Sequence, residues 1–208
     1  MNNSLKLCIL LFFIILFYKD GFNQNVSDTT CNFVYWDDFS GKEKLKFLKN
    51  NNIKNNNIKN TAIEYYTMEI KTLTADGPEM FELLDELTTT KNDTLLPFYF
   101  HVFNQICMDG NAVLGEAKGI YCIDFIINHP CYIFCYFSKQ NKIRKNIYNC
   151  YISFIAFEFY MDPDIIDKTN YQYEKFRKML LDVTENYCDS ELIFPFLKEI
   201  KSKLDAGL

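Results

Sequence analysis

Seven cysteines are the residues of this chain best placed to do chemistry. Cys31, Cys107, Cys122, Cys131, Cys135, Cys150 and Cys188 all follow an N-terminal apolar run, and an eighth, Cys8, lies inside it. In an oxidising compartment such thiols are disulfide candidates before they are metal ligands. Cys131 and Cys135 stand in a C-x3-C spacing, not the C-x2-C of zinc ribbons and thioredoxin-like redox sites. Seven is an odd number, so one thiol stays free, is buried, or joins two copies in a disulfide-linked dimer. The two histidines, His101 and His129, could in principle activate an unpaired cysteine. Disulfide bonding explains the cysteines more simply. No H-E-x-x-H, G-x-S-x-G, P-loop or GxGxxG occurs, and the reading is non-catalytic, with no cofactor. The carboxylates Asp37-Asp38 and Glu82/Asp85/Glu86 fall where solvation or helix capping accounts for them. Asp162, Asp164 and Asp167 resemble part of a calcium loop without its central Gly and terminal Glu, so no metal is expected.

The compartment is read from the first residues. Lys6 precedes an unbroken apolar run from Leu7 to Phe17, and Tyr18-Lys19-Asp20-Gly21 follows. That run is short for a membrane span, which needs about 20 apolar residues, and has the layout of a secretory signal peptide. Residues 1–24 are assigned to it, so the mature chain is expected to begin between Phe22 and Val26. The expected product is secreted, extracellular and free of membrane after cleavage. Glycosylation sequons stand at Asn25-Val26-Ser27 and Asn92-Asp93-Thr94. The net charge of −5 supplies no basic face for a polyanion, so no nucleic-acid partner is expected.

These residues need elements to position them. The 208 residues are 49 % hydrophobic and include 20 Phe and 14 Tyr, enough to fill an ordinary core. The single Trp, Trp36, sits in CNFVYWDDF and reads as a packing anchor. Residues 25–60 read as an exposed segment and a low-complexity linker, with a frayed helix at 42–49 and a doubled Asn-Asn-Asn-Ile-Lys unit. Ala62, Ile63, Tyr66, Ile70 and Leu73 share one helical face. A second helix opens at Pro78 and carries Met80, Phe81, Leu84 and Leu87.

From Pro97 to Tyr160, aromatic and β-branched bursts alternate with Asp-Gly-Asn, Asn-His-Pro and a Lys/Asn-rich stretch. This predicts antiparallel strands near 98–107, 119–127, 132–137 and 148–160. Two amphipathic helices then form a C-terminal hairpin over 166–208. The fold class expected is α+β: helices, a four-stranded antiparallel disulfide-linked sheet, and a helical hairpin after a domain at 61–165. Cys107 and Cys122 lie symmetrically about the Leu114–Gly115 junction, and Cys135 and Cys150 about Lys142–Ile143. Facing positions in a hairpin ladder predict the bridges Cys107–Cys122 and Cys135–Cys150.

Three local features resemble the cystatins, inhibitors of papain-like cysteine proteases. Thr61-Ala62-Ile63-Glu64-Tyr65-Tyr66 looks like the start of that family's helix. Asn111-Ala112-Val113-Leu114-Gly115 looks like its QxVxG hairpin, matching at Val113 and Gly115. Cys150-Tyr151-Ile152-Ser153-Phe154 looks like its late strand. The resemblance covers about residues 61–160. It implies a cystatin-like inhibitor whose hairpin, residues 111–115, enters the cleft of a papain-like protease. The alternative is a secreted, non-catalytic binding or effector protein with a protein partner.

Overall fold

A computed structural model describes residues 31–51, 61–67, 77–108, 115–139, 141–161, 166–185 and 190–207. The chain divides into two compact units, Met1–Cys31 and Asn32–Leu208. The described helices all belong to the second.

Among the described residues there is no strand. A short 3-10 turn, Trp36–Asp38, precedes nine α-helices: α1 (Gly41–Asn51), α2 (Thr61–Tyr66), α3 (Pro78–Thr89), α4 (Leu96–Met108), α5 (Gly115–Asn128), α6 (Pro130–Ser138), α7 (Lys142–Tyr160), α8 (Ile166–Thr184) and α9 (Ser190–Ala206). The expected α+β fold is therefore corrected, and with it the cystatin-like layout. All four expected strands, 98–107, 119–127, 132–137 and 148–160, lie within α4, α5, α6 and α7. The physical reason is burial. A helix enclosed on most sides is apolar nearly all round, and over ten residues it reads like a central strand.

The turn-like dipeptides have another use in a helical chain. Pro78 and Pro130 each open a helix, where a missing N–H goes unnoticed, and Pro97 sits in the first turn of α4. Asn141 caps α7 by accepting a hydrogen bond from the Arg144 N–H at 2.9 Å. Ser40 and Glu43 close a reciprocal box at the start of α1. The Ser40 N–H donates to Glu43 Oε2 (2.7 Å) and the Glu43 N–H to Ser40 Oγ (3.4 Å).

Helix α7 is the centre of the packing and touches α4, α5, α6, α8 and α9. Its buried residues Arg144, Ile147, Tyr151, Ile155 and Phe159 recur every three or four positions, which is a helical stripe. α5 crosses it closely because of Gly119. A Cβ there would lie 2.5 Å from Glu158 Cβ and 2.6 Å from the Phe154 carbonyl oxygen. α5 and α6 meet at a bend of 101° around His129-Pro130. α8 and α9 form the expected C-terminal helices but share this core, packing on α6 and α7. Among the described residues no single helix is long and apolar enough to cross a membrane; α5 and α6 pass that test only as a bent pair, with Cys122, Phe125, Ile126, Ile133 and Phe134 buried in the core.

Candidate ligand pocket

The segment before α1 is held by a reciprocal pair. The Tyr35 hydroxyl donates to the Tyr132 carbonyl at 3.0 Å, and the Tyr132 hydroxyl donates to the Val34 carbonyl at 3.1 Å. The next residues must then turn: the Asp38 N–H donates to the Tyr35 carbonyl (2.9 Å) and the Tyr35 N–H to Asp38 Oδ2 (3.0 Å). Trp36 is driven inward among the rings of Phe39, Phe47, Tyr66 and Phe98, at centroid separations of 5.0–5.8 Å.

Tilted and edge-on rings do not close the space they surround, and a cavity of about 310 Å³ remains beside the turn. That lies at the small end of ligand pockets, roughly 300–1,000 Å³. One wall is a single face of α4: Pro97, Phe100, His101, Asn104, Gln105 and Met108. The spacing of three and four is that of a helix. α7 supplies Ile143, Asn146 and Ile147, α6 supplies Tyr136, and the turn supplies Tyr35, Trp36 and Asp37.

Polar groups are few. The Trp36 indole N–H is buried and has no hydrogen-bond partner, an arrangement that ordinarily calls for an acceptor. Asn104 Oδ1 accepts from the Tyr151 hydroxyl at 3.2 Å. His101 Nδ1 lies 3.6 Å from Asp37 Oδ1. Burial holds the His101 imidazole below its ordinary pKa; Asp37 opposes this and Lys44 adds to it. His101 is accordingly neutral at pH 7. Burial, with the charge of Asp37, pushes the Tyr136 hydroxyl up to about 12. Behind the wall, the buried Arg144 guanidinium lies over the rings of Tyr35 (5.0 Å) and Tyr136 (4.3 Å) and 3.8 Å from Asp38 Oδ1. None of the lining residues is Ser, Thr, Cys or Lys, so the His101–Asp37 pair has no hydroxyl or thiol of those types beside it in the pocket to activate.

A second depression of about 750 Å³ lies between α6, α7 and α9, edged by Lys142, Lys145, Glu191 and Glu199. The Tyr148 hydroxyl already donates to Glu199 there (3.1 Å), and its charges are of both signs. Among the described residues no group of three or more His, Cys, Asp or Glu side chains is arranged to hold a metal ion.

The residues singled out from sequence are distributed differently from expectation. Asn111, Ala112, Val113 and Leu114 lie outside the described residues, and Gly115 is the first residue of α5. The helices α4 and α5 on either side of that segment replace the two strands a hairpin wedge requires. Cys107, Cys122 and Cys150 are free thiols, which removes both expected bridges, Cys107–Cys122 and Cys135–Cys150. Helical backbones set no facing register, so the arithmetic of the ladder does not apply. Cys31, Cys131 and Cys135 are disulfide-bonded. Cys188 lies outside the described residues. Asn25 is likewise outside them. Asn92 is exposed, and its Oδ1 accepts from the Thr94 N–H at 3.0 Å within the turn before α4.

Trp36 was legible as an anchor; its part in a pocket was not. The recurrence of His101, Asn104, Gln105 and Met108 among aromatics was the signal that sequence reading passed over. No protein family, curated protein or solved structure matches the chain.

Proposed function

We propose that this chain is a secreted, non-catalytic binding protein whose pocket between the 3-10 turn, α4 and α7 takes a small, largely apolar molecule bearing one hydrogen-bond acceptor. The observation that carries the reading is a largely apolar pocket with Trp36 in its wall, whose indole N–H is buried, has no partner and would meet a ligand acceptor after a small shift of the turn. The apolar body of the ligand would displace water from Phe100, Ile147 and Tyr136, and its acceptor would satisfy the indole. Neutral His101 in the lining, with Arg144 not among the lining residues, favours an uncharged ligand over an acid. Disulfide-bonded cysteines support export to an oxidising compartment.

Isothermal titration with acetophenone, a ring carrying a carbonyl acceptor, tests the reading. The expected result is saturable binding in the millimolar range or tighter, lost in Ile143→Trp, which fills the mouth from an exposed position. No saturable heat, or equal binding by Ile143→Trp, overturns it.

A further inference from the structure

The free thiols are not scattered. Cys107 on α4, Cys122 on α5 and Cys150 on α7 come from three helices and lie near enough to influence one another. Cys107 and Cys122 are both buried, and Lys118, one turn before Cys122 on α5, reaches the Cys107 carbonyl, so the two cysteines lie where α5 meets the end of α4. Cys150 is only partly buried, and its Sγ lies 3.4 Å from the Sδ of Met108, the neighbour of Cys107 in the chain. The buried Lys118 donates from Nζ to the Cys107 carbonyl at 3.4 Å and lies over the Phe154 ring at 5.3 Å. Two buried thiols and one partly exposed thiol thus share the region around the end of α4.

We propose that these thiols are a relay, in which Cys150 takes a disulfide from an external low-molecular-weight disulfide and passes it inward to close Cys107–Cys122. The first step is attack of the Cys150 thiolate on the external disulfide. A Cys150–SR mixed disulfide forms and one RS⁻ leaves, taking up the proton that Cys150 lost. Cys107 then attacks the Cys150 sulfur, expelling the second RS⁻ and forming Cys107–Cys150. Attack by Cys122 on the Cys107 sulfur forms Cys107–Cys122 and returns Cys150 as a thiol. The sum is two protein thiols oxidised to one disulfide and one external disulfide reduced to two thiols.

The arrangement accounts for the odd thiol, because Cys150 is regenerated. It also fits the electrostatics. Burial raises the Cys150 and Cys122 thiols above the ordinary range, and Lys118 is the positive charge that opposes this at both. Exchange is therefore slow at neutral pH, and the reduced pair persists until an oxidant is present. A disulfide joining α4 to α5 would clamp the last turn of the helix that lines the pocket, next to the lining residue Met108.

Folded, full-length secreted protein is incubated with oxidised glutathione, quenched with an alkylating agent and mapped without reduction. The expected course is transient glutathione on Cys150, followed by a Cys107–Cys122 linked peptide with Cys150 alkylated. Cys150→Ser, a partly exposed position that should fold, is expected to close Cys107–Cys122 at least about tenfold more slowly. Cys107→Ser is expected to trap the mixed disulfide on Cys150. Stable glutathione on Cys150 in the wild type with Cys107 and Cys122 still alkylable overturns the relay. So does closure in Cys150→Ser at the wild-type rate. The wild-type time course decides even where Cys107→Ser does not fold.

Discussion

Helix α7 meets two of its neighbours in opposite ways. Against α5 it is in backbone contact: Gly119 has room for a hydrogen and nothing larger, with Glu158 Cβ and the Phe154 carbonyl directly above. Against α4 it stands off at its N-terminal end, and Phe100, His101, Ile143 and Ile147 surround open space. Both sides are largely apolar. The difference lies in side-chain shape: one glycine lets two backbones touch, whereas rings packed edge-on hold theirs apart. One crossing specifies the fold, and the other leaves a place for a ligand.

The largest effect is expected where the open side is sealed. Trp36→Ala should lower unfolding stability by about 3–5 kcal/mol, the range for deleting a large buried aromatic. Trp36→Phe should recover much of that, because the lost N–H has no partner to leave behind. Chemical denaturation measures both. If Trp36→Ala falls within 1 kcal/mol of the wild type (about the effect of an ordinary substitution), the turn is not seated in the core.

The closed side responds next. Gly119→Ala should destabilise by about 1–3 kcal/mol through overpacking, since part of what its Cβ meets is backbone. Gly41→Ala, where a Cβ would meet nothing within 4 Å, is the control and should be neutral or slightly stabilising. Equal effects at the two glycines would remove the distinction between the two sides of α7.

Acid should loosen the bend between α5 and α6. Burial, with the charge of Lys91, holds His129 down to about 4, and its Nε2 is buried without a partner. The unfolded chain takes up this proton near pH 6.5 and the folded chain does not. Stability should therefore be full above about pH 6.5 and fall as pH drops towards 4, by about 1–2 kcal/mol once partial exposure is allowed for. His101, also held below its ordinary value, adds in the same direction. His129→Phe should flatten this slope, and an unchanged profile would place the acid sensitivity elsewhere. Smallest of all, Ile143→Trp at the exposed pocket mouth should change stability by no more than about 0.5 kcal/mol.

How much of this was legible follows from the same contrast. Helices with one wet face were readable: Pro78–Thr89 begins at its Pro and shows its stripe of Met80, Leu84 and Leu87, and α8 and α9 show theirs. Those enclosed by neighbours were not. In α7 the sequence Tyr151–Ala156 is apolar at almost every position because α4, α5, α6, α8 and α9 surround it, and that texture is shared with a central strand. The helical signal survived only in sparse polar residues, His101, Asn104 and Gln105 on α4 and Arg144 among the rings. The pocket could not be read, because it is made by Trp36 and Phe100, far apart in the chain, failing to close on each other. The thiols were recognised as a set, but which of them bond depends on helix packing that spacing does not encode.

The indole of Trp36 is the group on which ligand binding depends most. As the chain's single Trp, it gives one side-chain N–H cross-peak in a ¹⁵N-correlated spectrum. Titration with acetophenone is predicted to move that peak downfield and saturably, as expected of a donor that gains a carbonyl partner. Ethylbenzene, which has no acceptor, should bind the same pocket with little downfield shift. An indole peak that does not move at saturating acetophenone, or that moves equally with both compounds, would contradict the pocket as drawn.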